Sequence, residues 1–213
     1  MLQKLNIIDT LLDEFQHGLK TCQLQPDTQK RPYPGAAVNE SNLSGAEQKH
    51  AAGLMRVNNA GEVAAQALYR AQALCARDPR ISAAMQNAAE EEKEHLNWCQ
   101  QRLLELDHKR SRLDGLWYWG SFATGLLAGA IGDRWSLGFV EETEKQVHRH
   151  LENHLAALPA QDQRSKVILQ TMQADERQHA VNAHRNGANE LPGAIKHAMA
   201  LVSKIMTFSA YRF

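Results

Sequence analysis

The chain has 213 residues, a formal net charge of zero and three cysteines, Cys22, Cys75 and Cys99, with no Cys-x-x-Cys spacing. The charge balance offers no nucleic-acid footprint, and so few, so scattered cysteines indicate neither a disulfide scaffold nor a cysteine zinc site. The length suits one domain with an N-terminal extension, large enough for a proper core, in a reducing setting.

Residues 1–20 place Leu5, Ile8, Leu11, Leu12, Phe15 and Leu19 at helical spacing, interrupted by Asp9, Asp13 and Glu14. The acids argue against a signal or transit peptide, so the stretch reads as a docking helix or one that leans on a membrane. Pro26, Pro32, Pro34 and Gly35 then predict an irregular linker. The expected organisation is therefore an N-terminal amphipathic helix and linker over 1–44 and a folded domain over 45–213. Ser44-Gly45-Ala46-Glu47 is a capping box at the start of that domain. From there helical periodicity runs almost to the end, with long helices near 45–76, 79–108, 135–158 and 161–187, and Pro79, Pro159 and Pro192 at helix starts or in loops. No strand alternation is evident, so the class is all-α.

Two further segments are apolar. Gly115 to Gly132 is an uncharged run of 18 residues with five glycines and a Trp/Tyr cluster at one end. Its length permits a marginal membrane span, but the glycines and aromatics favour an interfacial helix; a buried bundle helix is the alternative. The C-terminal stretch aligns Ile195, Met199, Val202, Ile205, Met206 and Ser209 on one helical face, fit for a bilayer surface or for ordinary packing.

Chemistry enters through Glu-x-x-His, which puts both side chains on one helical face. Composition alone would give roughly 0.7 such pairs by chance, yet the chain has five. Glu47/His50 begins with a cap residue, Glu105/His108 sits at a polar helix end where a cation suits the dipole, and Glu14/His17 has no obvious mate. The other two pairs lie in apolar stripes: Glu92/His95 among Ile81, Met85, Ala88, Cys99 and Leu103, and Glu176/His179 among Leu169, Met172 and Ala183. A buried carboxylate there needs compensation, either by a metal or by a salt-bridge network.

Spacing favours the metal. Glu62, flanked by small residues, shares a face with Leu54, Asn58, Ala65 and Tyr69. Glu144 lies in the stripe Leu137, Val140, Val147, Leu151, Leu155, Leu158, whereas Glu142 points elsewhere. Glu62 precedes Glu92 by 30 residues and Glu144 precedes Glu176 by 32. Glu…Glu-x-x-His thus occurs twice, as duplication of a helix hairpin would give. One Glu from each of two helices and a Glu-x-x-His from each of two more is the ligand set of ferritin-like di-metal bundles. The candidates are Glu62, Glu92, His95, Glu144, Glu176 and His179. Glu91 and Asp175, each just before a Glu-x-x-His, are suited to accept the free ring N–H of a ligating histidine.

Arg56-Val57-Asn58-Asn59-Ala60-Gly61-Glu62, then Gln66, Tyr69 and Gln72, then Glu92-Lys93-Glu94-His95, Glu144 and Asp175-Glu176-x-x-His179 resemble the Coq7 (demethoxyubiquinol hydroxylase) family over about residues 45–213. Arg31-Pro32-Tyr33-Pro34-Gly35 is similar to its bacterial members. One position departs: Asn59, where the family usually has His, which is expected to alter hydrogen bonding in the pocket. The resemblance implies a ferritin-like four-helix bundle with a di-iron carboxylate core and extra membrane-interacting helices. It implies a monooxygenase of ubiquinone biosynthesis that hydroxylates the ring of a polyprenylated demethoxyubiquinol (2-polyprenyl-3-methyl-6-methoxy-1,4-benzoquinol), with two iron ions per chain and O2 as co-substrate. Carried over to this sequence, the iron ligands are the same six residues. The implied partners are the quinol, a membrane surface and accessory proteins of ubiquinone biosynthesis, with no nucleic acid. The implied location is peripheral, on the cytoplasmic side of the cell membrane.

Carboxylate and imidazole suit iron, and equally manganese, while leaving open positions for dioxygen. The protein's share is orientation and a dry pocket, for which Leu68, Met85, Val140, Val147 and Met172 are the candidate lining. His148, His150 and His154 read as solvated helix histidines, with a role beside the metal as the alternative. Another chemistry on the same fold (tRNA hydroxylase, peroxidase or iron storage) and a non-enzymatic helical scaffold are the competing functions. Zero net charge counts against tRNA, and the apolar 115–132 segment is unexpected in a storage shell.

Overall fold

Seven α-helices make up most of a computed structural model that describes residues 7–22 and 31–213. They are α1 (Ile7–Thr21), α2 (Gly45–Cys75), α3 (Pro79–Glu105), α4 (Asp114–Ile131), α5 (Asp133–Ala157), α6 (Gln163–Arg185) and α7 (Gly193–Arg212). Among the described residues there is no strand, as the periodicity predicts. Leu5 and Pro26 lie outside the described residues, as do the side chains of Ile8 and Leu11.

The bundle is built from two hairpins, α2–α3 and α5–α6. Ser44 and Glu47 cap α2 reciprocally as the sequence predicts. Each bundle helix carries apolar residues one to two turns on either side of a polar position. Met55, Cys99, Leu103, Leu151, Leu169 and Met172 form one buried cluster. Tyr69, Met85, Ala89, Leu137, Val140 and Ala183 form another. Burial of each large apolar side chain contributes about 1.5–3 kcal/mol. The two clusters sandwich the layer that holds the candidate ligands.

On the other side of α2 lies α4, in nearly backbone-to-backbone contact. A Cβ at Gly125 would stand 2.6 Å from the Leu68 carbonyl oxygen, and one at Gly129 would stand 2.5 Å from Cys75 Cβ. Small residues thus set the α2–α4 distance. Tyr118 and Phe122 are buried in that seam, while Leu116, Leu127 and Ile131 are exposed on the outer face. No helix of the described residues is long and apolar enough to cross a membrane. In α7 only Ala210 is buried, and Leu201, Val202, Ile205 and Phe208 face outward.

Two sequence expectations change here. Glu14 and His17 do have mates: Arg70 donates to both carboxylate oxygens of Glu14 at 2.8 and 2.7 Å, and His17 lies 3.2 Å from Gln66 Oε1. Helix α1 therefore docks through its polar face, and its apolar Leu12, Phe15 and Leu19 stay exposed, with Phe15 stacked on Trp119 at 5.9 Å. Asn59 faces away from the candidate ligands. It is buried in the α2–α4 seam and donates to Asp114 Oδ2 at 3.2 Å.

The arm between α1 and α2 is not loose where described. Tyr33 donates to Glu105 at 2.9 Å, Arg164 donates to the Val38 carbonyl at 3.0 and 2.6 Å, and Glu40 pairs with Arg102. Arg102 is fully buried and also meets Asp162 at 2.9 Å and Ser165 at 2.8 Å. It therefore fastens the arm, α3 and the capped start of α6 with one guanidinium. Removing one partner of a buried pair leaves an uncompensated charge. Arg102→Met is thus expected to cost about 3–5 kcal/mol in denaturant unfolding; a cost below about 1 kcal/mol, the worth of an exposed pair, would contradict this assignment. Asp114 gives a pH signature. Burial, opposed by Arg110 and Asn59, pushes its carboxyl up to about 6 from 3.8. The folded state therefore favours the protonated form, and stability is lost as pH rises from 3.8 through 6. Asp114→Asn is expected to stabilise the protein by about 3 kcal/mol above that window and to confer nothing below it, as unfolding at a series of pH values would show.

Candidate metal centre

The helical i, i+3 relation puts Glu92 with His95 on α3, and Glu176 with His179 on α6; Glu62 and Glu144 face them from α2 and α5. All six are buried, between 0% and 7% exposed. They form two clusters in which one atom from each residue lies within 4.8 Å of the others: Glu62, Glu92, His95, Glu176 and Glu92, Glu144, Glu176, His179. The structure thus brings together every residue the spacing singled out, with Glu92 and Glu176 in both clusters.

The inner nitrogens converge on these shared carboxylates. His95 Nδ1 lies 3.1 Å from Glu92, 3.2 Å from Glu176 and 3.7 Å from Glu62. His179 Nδ1 lies 3.1 Å from Glu92 and 3.4 Å from Glu176. The outer nitrogens are held by the two acids picked from sequence, and the pairing is crossed between helices. His95 Nε2 donates to Asp175 Oδ2 at 2.9 Å, and His179 Nε2 donates to Glu91 Oε2 at 2.7 Å. An ionised carboxylate only accepts, so each ring's Nε2 carries the proton and Nδ1 faces inward.

Electrostatics explain why such a layer needs cations. Burial pushes Glu62 and Glu144 well above the usual carboxylate range. Burial pushes Glu92 and Glu176 the same way, but the imidazoles of His179 and His95 overcome it and hold both low. Burial lowers His95 and His179, yet the surrounding carboxylates raise both above their ordinary value. Protons on imidazole and glutamate therefore balance the charge. Among the described residues the ion partners of Glu62, Glu92 and Glu176 are His95 and His179 rather than a lysine or arginine, so the layer is a proton-balanced Glu/His network built from metal-binding groups. Glu92 Oε1, Glu176 Oε2 and His179 Nδ1 are buried without a hydrogen-bond partner. Carboxylate and imidazole atoms converging in this way would, on losing those protons, fit divalent ions such as iron or manganese.

Residues 49–210 match the family profile described as Ubiquinone biosynthesis protein COQ7. The chain belongs to this family. A protein of Dechloromonas aromatica (strain RCB) named 3-demethoxyubiquinol 3-hydroxylase is 52% identical over 205 residues, 96% of this chain and 99% of that one. Proteins with the same name from Chromobacterium violaceum and Laribacter hongkongensis (strain HLHK9) are 51% identical over 206 residues and 49% over 205. They cover 97% and 96% of this chain, and 100% and 99% of their own lengths.

In this COQ7 chain the clusters open in two directions. A narrow cavity of about 50 Å³ runs between α2, α5 and α7, past Val57, Val147, Leu151, His150 and Met206 to Glu62, Glu92, Glu144 and Glu176. A wider, more polar one of about 330 Å³ lies between α3 and α6 beside His179 and Glu91. Of the five expected lining residues, Val147 borders the first cavity, and Met85 and Val140 border the second. Leu68 packs in the α2–α4 seam, and Met172 belongs to the core against Cys99.

His150 and His154 are not solvated, contrary to the sequence expectation. Their rings lie 3.8 Å apart, His154 is 8% exposed, and its Nδ1 lies 3.0 Å from Asn58 Oδ1. Burial pushes them down, to about 4 and about 3, so both are neutral at pH 7. The signal was present for His154, which follows Leu151 in the α5 stripe. Tyr69 was placed on the Glu62 face, and it donates to Glu144 Oε1 at 2.5 Å. Arg31, which meets Asp175 at 2.7 Å, had no signal beyond its motif. The remaining Glu-x-x-His pairs have the structural roles expected: Glu47 caps α2, and His108 binds the Leu106 carbonyl at 2.8 Å.

Because Glu92 and Glu176 face both imidazoles, removing either is expected to empty both positions, whereas Glu62→Ala or Glu144→Ala should leave one ion. Elemental analysis of folded variants, checked by circular dichroism, measures this. Two ions per chain in Glu176→Ala would contradict the assignment.

Proposed function

We propose that this chain is a di-iron monooxygenase that uses O2 to hydroxylate the ring of a polyprenylated demethoxyubiquinol, with Glu62, Glu92, His95, Glu144, Glu176 and His179 as the iron ligands. The observation that carries the reading is the pair of buried Glu/His clusters opening onto an apolar cavity, in a chain whose close relatives bear that enzyme's name. An iron pair supplies the activation of dioxygen needed to place one oxygen atom on the ring.

The chain's own groups do the rest. Val57, Val147, Leu151 and Met206 shield the approach from water. His150, neutral and with Nε2 unpartnered, offers an imidazole nitrogen to a ring hydroxyl. Tyr69 holds one oxygen of Glu144 and so fixes that carboxylate's orientation. At about 50 Å³ the cavity is far smaller than the ~300–1,000 Å³ of ligand pockets. Admission of the ring therefore requires α7 to shift, and α7 is the least buried of the helices lining it.

The same reading gives the outer faces a use. Ser203, Met206 and Thr207 line the cavity from α7, while Leu201, Val202, Ile205 and Phe208 point away from the bundle. A polyprenyl tail leaving beside α7 would pass into a bilayer against which these residues and Leu116, Leu127 and Ile131 of α4 rest. Peripheral attachment to the cytoplasmic side of the cell membrane, and contact with accessory proteins of ubiquinone biosynthesis, belong to this proposal.

The test is turnover. Protein loaded with ferrous iron, given a short-tailed demethoxyubiquinol, a reductant and isotopically labelled O2, is expected to yield a ring-hydroxylated product carrying one labelled oxygen, and Glu62→Ala to yield at least about 100-fold less, the order lost with a group that stabilises reacting charge. Loaded protein that makes no such product but turns over hydrogen peroxide would replace this reading with a peroxidase.

A further inference from the structure

The two halves of the site differ in what stands behind their histidines. Behind His95 is Asp175, whose Oδ2 accepts from His95 Nε2 at 2.9 Å and from Arg31 Nη1 at 2.7 Å. The same guanidinium donates through Nε to Glu94 Oε2 at 2.5 Å and lies 4.8 Å from the Trp98 ring. Behind His179 is Glu91, with a side chain 49% exposed; among the described residues no Lys or Arg pairs with it. Arg31 comes from the arm that precedes the 49–210 span shared with the family.

We propose that Arg31 is a positioning residue that makes the two halves of the iron pair inequivalent, by fixing a positive charge on the acid that supports His95 while Glu91 supports His179 unopposed. The inference rests on the iron-pair reading above. A carboxylate that accepts a ring N–H strengthens that imidazole as a donor. A guanidinium on the same oxygen draws charge away from it. Arginine does not lose its proton in proteins, so the effect does not switch off with pH. The Arg31 side chain is 38% exposed and Asp175 24%, so water screens part of the charge, but a direct contact at 2.7 Å from an acid bonded to the buried His95 is screened less than a charge in bulk water. The geometry also excludes a passive role for the charge. Asp175 and Glu94 share this one cation, and without it Asp175 would face His95 uncompensated. The result is that the His95 half is held toward the ferrous state, and loss of Arg31 would release it toward the ferric.

Stepwise redox titration of the iron-loaded protein, followed by Mössbauer spectroscopy, tests this. The expected result is two separable one-electron steps. Arg31→Met should move one of them toward ferric by at least about tenfold in equilibrium constant, 59 mV for a one-electron couple, and leave the other in place. Asp175→Asn should move the same step in the opposite direction, and Glu91→Gln should move the other step. Tyr33→Phe, which loosens the arm without touching either acid, should move neither. Arg31→Lys keeps the charge and should shift its step less than about threefold, which also guards against a Met variant that fails to fold. The inference is overturned if Arg31→Met moves neither step or both equally, if Arg31→Met and Asp175→Asn act in the same direction, or if Tyr33→Phe reproduces the Arg31 effect. Wild-type protein that does not take up two irons would overturn the iron-pair reading and this inference together, a failure seen in metal content before any potential is measured.

Discussion

Four glutamates in one dry layer cannot all ionise unless positive charge is brought among them, and the structure is arranged around that constraint. The layer sits between two apolar clusters and its glutamates are nearly closed to solvent, so water supplies little of the compensation. Among the described residues its ion pairs join glutamates to the two histidines. Protons on His95, His179, Glu62 and Glu144 balance the charge in the metal-free protein, and a cation pair would displace them. The crossed bonds from His95 to Asp175 and from His179 to Glu91 keep both Nδ1 atoms pointed at the shared carboxylates. A helix that rotated by one residue would lose both its ligands and its outer contact.

Everything outside that layer follows a second division, between what seals the site and what approaches it. The arm from Arg31 to Glu40 straps α3 to α6 through ion pairs and closes the His95 side. Glycines at 125 and 129 bring α4 hard against α2 and leave its Leu116, Leu127 and Ile131 outside. Helix α7 is pinned at its C-terminal end, where Arg56 donates to the Tyr211 carbonyl and His50 lies 2.7 Å from the Tyr211 hydroxyl. Its earlier turns bury little. A small cavity bordered by a lightly held α7 is compatible with the proposed entry of a prenylated ring from that side.

The grouping of the six candidate residues was legible in the sequence because it is written in local periodicity. Glu-x-x-His fixes two ligands on one face, apolar stripes say which face is buried, and the near-equal 30- and 32-residue spacings pair the hairpins. The capping box, the helix spans and the two supporting acids were legible for the same reason. Long-range partners were not. Glu14 with Arg70 and Asp114 with Asn59 join residues more than fifty positions apart, and no helical period connects them. The docking of α1 was legible, but not the face it uses. Its apolar stripe marks a real amphipathic helix, but the polar side is the one that docks, because Arg70, Gln66 and Tyr118 on the bundle offer an ion pair, an amide and a ring rather than an apolar groove. His150 and His154 were misread because residue type was weighed above position in the α5 stripe.

The central proposal is that these six side chains would hold two ions, with Glu92 and Glu176 belonging to both clusters. Anomalous diffraction at the iron edge, from crystals grown with ferrous iron, tests it most directly. Two peaks should lie between Glu92 and Glu176, one beside Nδ1 of His95 and the other beside Nδ1 of His179. A single peak, or none with the histidines still in contact with the carboxylates, would contradict the account.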